Sequence, residues 1–234
     1  MGFRKTKGLK ELTEILKKRG VHINVQVVPE LNLKEMKKFN NANKTFLAAY
    51  DSYENIYKNI NMKKIYLPIP WGVKKSVKWL NKILLLENKQ PVKFFEFEKT
   101  KESLGFICDE KELENLKNKD GLNIFQMCRD LGFELEIRSI GKTKYRRFIK
   151  KEHDNYEDAL KFMDSNCIYS DIVMDERLIL KNKQQFSFFD FEKGIKGAER
   201  TRERILMKCK RKGLGINNLD FTFFSSGVVS NGQT

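Results

Sequence analysis

Acidic side chains are the groups in this sequence whose type and spacing come closest to a catalytic set. The candidates lie on two neighbouring segments and are Asp171, Asp175, Glu176, Asp190 and Glu192. Two strand-borne carboxylates can hold a Mg²⁺ ion that polarises a scissile phosphate, as in nucleases. The spacing does not require a metal, however, because surface acids opposite basic segments explain the same residues. We therefore predict no catalytic residue, no metal site and no cofactor, and keep a metal-dependent nuclease as the alternative.

Histidine and cysteine chemistry has little support. There are two histidines, His22 and His153, and four widely spaced cysteines that form no Cys-x-x-Cys pair. No zinc spacing can be built from them, and the sequence contains no Gly-x-Ser-x-Gly, P-loop or His-Glu-x-x-His motif. The cysteines are expected to be buried thiols in a cytoplasmic or other reducing intracellular compartment. No apolar run approaches the roughly 18 residues of a membrane span, so no membrane partner is predicted.

The charge balance points to a polyanionic partner. The formal net charge is +15, and it is concentrated in a few segments. Residues 142–151 carry six basic residues and no acid, and residues 193–212 carry nine basic residues against two acids, whereas residues 152–192 carry ten acids against four bases. Such asymmetry predicts one surface that faces a nucleic acid, DNA or RNA, through phosphate contacts. The predicted nucleic-acid-binding residues are Lys142, Lys144, Arg146, Arg147, Arg200, Arg204, Lys208 and Arg211.

An internal repeat organises the chain. Residues 84–99 recur as residues 178–193 with ten of the 16 positions identical, including an Asn-Lys-Gln core and a Phe-Phe-acid-Phe-Glu-Lys end. Upstream, Asp51-Ser-Tyr-Glu54 is echoed by Asp154-Asn-Tyr-Glu157. Self-similarity of this kind indicates a duplicated structural unit. The sequence therefore predicts an α+β fold built as a tandem duplication of an α/β lobe, with two similar lobes related by a pseudo-twofold.

The elements that would position these residues can be read from periodicity. The repeat divides the chain into a first lobe at residues 1–105 and a second lobe at residues 106–234, which ends in a basic helix and tail. Apolar spacing predicts helices near 111–118 and 122–131, a strand from 133, and basic helix 197–212. Residues 71–86 form an added helix in the first lobe. The segment after Gly141 is expected to turn and return as a second strand at 144–150, which also allows a winged helix.

The paired repeats and the Asn-Lys-Gln element resemble the homing endonucleases with two LAGLIDADG repeats. That resemblance implies a metal-dependent nuclease, with an acidic residue beside each helix-end glycine. Here Arg19 and Leu131 stand beside Gly20 and Gly132, and neither can bind a metal. The chain is therefore not assigned to that family.

The leading interpretation is a non-enzymatic nucleic-acid-binding protein that contacts phosphates through the basic segments of two duplicated lobes, with DNA slightly preferred. A metal-dependent nuclease is the first alternative. A ribonucleoprotein component, or a protein inhibitor of a nucleic-acid enzyme, is the second. Sequence specificity and oligomeric state do not follow from these patterns.

Overall fold

A computed structural model describes residues 7–23, 44–48, 64–119, 121–145, 147 and 149–211. These residues form a mixed α/β fold. In chain order, the elements are α1 (Lys7–Lys18), β1 (Thr45–Ala48), β2 (Lys64–Leu67), α2 (Gly72–Leu86), β3 (Ser103–Cys108), α3 (Glu110–Lys117), α4 (Ile124–Asp130), β4 (Glu134–Ile140), β5 (Lys151–His153), α5 (Tyr156–Lys161), β6 (Cys167–Tyr169), α6 (Glu176–Leu180), β7 (Gln184–Phe186), a 3₁₀ turn (Phe188–Asp190) and α7 (Ile195–Lys210).

Five parallel strands form the central sheet, in the order β5-β4-β3-β6-β7. The chain enters the middle of the sheet with β3, adds β4 and β5 on one side, and then returns to add β6 and β7 on the other. Helices α3 and α4 connect β3 to β4, α5 connects β5 to β6, and α6 connects β6 to β7. This is a doubly wound order, and its switch point lies between β3 and β6, where the direction of strand addition reverses. Strands and helices thus alternate along this sheet rather than being segregated.

Both faces of the sheet are covered, which explains the nearly continuous apolar sequence of its central strand. Leu104, Phe106 and Cys108 of β3 join the main core, which also contains buried residues of α3, α4 and α7. On the opposite face, Ile107 packs with Leu160 in a smaller core that includes residues of α5 and α6. The four cysteines are buried and free, as the sequence predicted. No helix in the described part of the chain is long and apolar enough to cross a membrane.

A second layer is attached to the main-core side of the sheet. Helices α1 and α2 pack against each other and against α7, and β1 and β2 form a separate parallel pair. Leu12, Ile65 and Leu80 are buried together in the core of this layer. Gly8 allows α1 to approach α7, because a Cβ atom there would be 1.5 Å from the carbonyl oxygen of Lys193. The layer fixes the direction in which the outer face of α2 points.

The structure does not show two copies of one lobe among the described residues. The repeat segments share a helix end, since Asn88 and Asn182 have φ values of 53° and 54° and the next amide in each copy donates to the carbonyl of Leu84 or Leu178. Beyond that point they differ. Residues 184–186 form β7, whereas residues 91–100 have no regular secondary structure. Residues 51–54, the upstream echo, lie outside the described residues.

Two other predictions from the sequence concern the hairpin after Gly141 and the boundary between the two lobes. The basic segment after Gly141 does not form a hairpin with β4, because β5 starts at Lys151 and runs parallel to β4. The predicted second strand at 144–150 and the winged-helix alternative are therefore wrong. A ten-residue connection reverses the chain twice, and a tight turn would have produced an antiparallel pair. The predicted domain boundary between residues 105 and 106 falls within β3, and the two-domain division stays a prediction.

One buried group of charged side chains ties β4 to its neighbours. Glu136 and Arg138 are 6% and 4% exposed, and His153 is 8% exposed. The guanidinium of Arg138 donates to Glu136 Oε1 from Nε at 3.0 Å and from Nη2 at 2.7 Å. Ser165 donates to Glu136 Oε2 from its amide at 2.8 Å and from its hydroxyl at 3.0 Å. Each buried charge is therefore paired and hydrogen-bonded, as buried ions in proteins must be.

Candidate nucleic-acid interface

Most of the predicted phosphate-binding side chains of the basic helix α7 form ion pairs with acids of the same chain. Arg200 donates to Glu192 Oε2 from Nε at 2.9 Å and from Nη2 at 2.7 Å, and Arg204 donates to Glu192 Oε1. Lys208 lies 2.8 Å from Asp190 Oδ2. Burial raises the pKa of Glu192, but hydrogen bonds from the two arginines outweigh it, so the net pKa is lowered. Three of the predicted cations are therefore engaged by two acids, Glu192 and Asp190.

The other predicted residues lie in two places. Lys144 is exposed but paired with Glu114 at 2.7 Å and with Glu110 at 3.1 Å. Lys142 and Arg147 are exposed in the connection between β4 and β5. Arg146 lies outside the described residues. Arg211 follows α7, which packs on β6 and β7. The two predicted anchors therefore lie toward opposite ends of the strand order, and the described contacts do not join them.

Four of the five acids of the nuclease alternative, all except Glu176, are bound to a cation of the chain. Asp171 pairs with Lys119, and Asp175 pairs with Arg177 at 2.7 Å. Burial raises the pKa of Asp171, but hydrogen bonds from Lys119, the Phe188 amide and the Tyr169 hydroxyl outweigh it and lower the pKa overall. In the described ranges, no three His, Cys, Asp or Glu side chains are grouped so that they could hold a metal ion. The acids act as structural partners of basic groups.

The outer face of α2 carries a row of positive charge with no acid on the same helix. This basic row consists of Lys74, Lys78 and Lys82, which are exposed and spaced four residues apart. A helix brings such residues to one face about 6 Å apart. The 15 residues of α2 contain a fourth lysine, Lys75, and no acid. Its apolar face, which includes Val77, Leu80 and Leu84, is buried, so the row must face solvent.

The lysines of the basic row are not paired with any acid that the structure describes. Lys82 Nζ donates to the carbonyl oxygen of Tyr66 at 2.8 Å, which orders the side chain without neutralising it. Lys74 and Lys78 form no ion pair with an acid that the structure describes. Lys75 Nζ donates to the carbonyl oxygen of Gly121 at 2.9 Å, beside the connection that follows α3. This contact ties the start of α2 to the loop after α3, whose Lys119 pairs with Asp171 at the carboxyl edge of the central sheet.

A polar cleft of about 470 Å³ opens at that carboxyl edge. It lies where β3 and β6 end side by side, which is the switch point of the sheet and the position where doubly wound folds bind ligands. Its apolar wall includes Ile107, Leu116 and Ile172. Its polar lining consists of Glu112, Asn115, Asn118, Lys119, Tyr156, Tyr169, Ser170, Asp171 and Arg177.

The Arg177 guanidinium lies 3.7 Å from the centre of the Tyr156 ring, a stacked cation-π contact. The hydroxyl of Tyr156 is buried and has no hydrogen-bond partner among the described residues. Burial, followed by the charge of Asp175, raises the pKa of Tyr156 to about 12. A buried hydroxyl without a partner is an unused donor and acceptor, and the Tyr156 side chain that carries it is one of those that line the cleft.

Sequence reasoning missed both features for identifiable reasons. It treated α2 only as an added amphipathic helix, although the absence of acids from its lysine-rich face was a readable signal. The cleft had no sequence signal, because Asn118 and Arg177 meet only when β3 and β6 become neighbours. Comparison of the chain with protein-family models, with curated proteins and with solved structures found no match.

Proposed function

We propose that this protein binds the phosphate backbone of a nucleic acid, without acting on it as an enzyme, through the basic row of α2. The observation that carries the proposal is that Lys74, Lys78 and Lys82 project from one helical face that contains no acid. When evenly spaced cations of this kind bind a nucleic acid, the counterions condensed on its phosphates are released, which favours binding. The net charge of +15 supplies a long-range attraction toward the same partner.

The arginines of α7 have a different part in this proposal. Arg200 and Arg204 hold the segment before α7 in place through Glu192, and they contribute less to binding than their number in the sequence suggests. The exposed Lys142 and Arg147 remain candidates for a second phosphate contact. The intracellular, reducing location predicted from the cysteines belongs to the same proposal, with DNA as the first polyanion to test.

The experiment compares two double variants that remove the same charge. Lys74→Ala with Lys78→Ala removes two exposed, unpaired lysines from the row. Lys161→Ala with Lys181→Ala removes two exposed lysines from α5 and the end of α6, on the opposite face of the sheet. Binding to single- and double-stranded DNA and RNA is measured by fluorescence anisotropy between 50 and 300 mM salt, and circular dichroism melts check that every variant is folded.

The row variant is expected to reduce the slope of log affinity against log salt by about 1.8 for a duplex and about 1.4 for a single strand. The control variant should change the slope by less than half as much. Equal slopes for the two variants would show that only net charge matters and would refute the basic row. Absence of binding to any naked nucleic acid would refute the function and favour a ribonucleoprotein component or an inhibitor of a nucleic-acid enzyme.

A further inference from the structure

The cleft at the switch point is chemically different from the basic row. Its two cations are each compensated, Lys119 by Asp171 and Arg177 by Asp175, and Glu112 adds a further negative charge to the lining. A phosphate group would therefore gain little there from net charge. The cleft suits a neutral ligand that has both donor and acceptor groups.

The shape and the groups of the cleft fit a planar heterocycle. The Arg177 guanidinium stacked on Tyr156 offers a flat, polarizable surface, and Arg177 makes only part of its hydrogen bonds to Asp175, from Nε and Nη2. Asn115 and Asn118 are exposed at the mouth. Each asparagine amide offers a donor and an acceptor together, which match the edge of a nucleobase. The volume of about 470 Å³ lies within the range of small-ligand sites.

One loop links the cleft to the helix that carries the basic row. Lys119 of this loop lines the cleft, and Gly121, two residues further along the chain, accepts the hydrogen bond of Lys75 from α2. Lys75 adjoins Lys74, the first lysine of the row, so a strand that follows the row toward the start of α2 would run toward the cleft. Unpaired strands are recognised in this way, with the backbone held by cations and individual bases stacked on aromatic or arginine planes.

We propose that the cleft receives one unstacked base of a single strand whose backbone lies on the basic row. The inference rests on the proposed function, since it assumes that the strand is held by α2. It adds that the preferred partner is single-stranded and that the Tyr156 hydroxyl, Asn115 and Asn118 contact the base. The cleft then contributes affinity that depends on bases and not on salt.

The test uses two fluorescent DNA strands of equal length, a mixed-sequence 12-mer and a 12-mer that carries abasic sites at its central positions. Both strands have the same phosphates, so only the first can fill the cleft. Binding is measured for the wild type, for Asn115→Ala with Asn118→Ala, for Tyr156→Phe, and for the row variant Lys74→Ala with Lys78→Ala. The asparagines are exposed and Tyr156→Phe removes only the unpartnered hydroxyl, so these variants are expected to fold.

Wild-type protein should bind the strand with bases about tenfold more tightly than the abasic strand, because an abasic site has no base to stack in the cleft. The asparagine variant and Tyr156→Phe should each reduce that ratio, leave the abasic affinity unchanged and preserve the salt slope. The row variant should weaken both strands alike. Equal wild-type affinity for both strands, or an equal loss on both from the cleft variants, would overturn the cleft proposal while leaving the proposed function intact. Failure of both strands to bind would overturn both proposals.

Discussion

Replacement of Glu136 by glutamine tests the buried charge network of β4 directly. The substitution keeps the size and shape of the side chain and removes only its charge and one acceptor atom. In the wild type, Oε1 accepts from Arg138 and Oε2 accepts from Ser165, so both oxygens face donors. The amide group of glutamine must turn its own N–H atoms toward one of these donors. The variant therefore loses an ion pair, and it also places the glutamine N–H group opposite another hydrogen-bond donor.

The expected cost follows from the burial of the partners. The side chains of Arg138 and Glu136 are 5% and 6% exposed, so the remaining guanidinium cannot be hydrated in place of its lost partner. Removing one member of such a pair costs about 3–5 kcal/mol, because an uncompensated charge stays buried. For a chain of this size each kcal/mol lowers Tm by about 2–4 °C, so we expect a decrease of roughly 6–20 °C.

The assay is urea unfolding followed by circular dichroism, with Glu134→Gln as the matched control. Glu134 lies two residues earlier in the same strand, on the same face, but is exposed. Its replacement should change stability by no more than about 0.5 kcal/mol. A third variant, Glu136→Leu with Arg138→Met, should recover most of the loss, since both charges are then absent. A Glu136→Gln variant within about 1 kcal/mol of the wild type, with an unchanged m-value, would refute the buried network.

Two further predictions concern the acid response and α7. Burial lowers the pKa of His153, so the unfolded chain takes up a proton below about pH 6.5 that the folded chain resists. The free energy of unfolding should therefore fall as the pH drops from 7 to 5.5. In urea titrations, His153→Gln should show a smaller decrease over this range. Parallel curves of unfolding free energy against pH for the two proteins would contradict the prediction. Arg204→Ala should lower stability by about 1 kcal/mol, because Glu192 loses one of its two cations, and should leave the salt slope of DNA binding unchanged. A slope smaller by one unit with unaltered stability would instead assign Arg204 to phosphate binding.

The positions of most helices in the central fold could be read from the sequence, because a helix is specified by local signals. The periodic apolar residues of α2 and α4 and the basic content of α7 placed these helices within two residues of their observed bounds at every end. Asn123 and Asn155 cap α4 and α5 through bonds to amides three residues away. Such contacts span one turn, so their signals survive in a short window of sequence.

Strand order and charge pairing were decided only by the tertiary structure. Parallel strands join segments far apart in the chain, and short sequences such as Lys-Glu-His of β5 or Gln-Gln-Phe of β7 do not say which strand lies beside which. The basic appearance of α7 misled for a related reason, since its partners Asp190 and Glu192 lie just outside the basic segment and reach it only after the chain turns. Whether a cation is paired depends on which acids folding places beside it, because an ion pair requires a short distance in space and not along the chain. The sequence by itself determined a basic protein of mixed helices and strands. Only the fold decided which cations are paired with acids and which, such as Lys74 and Lys78 of α2, pair with no acid that the structure describes.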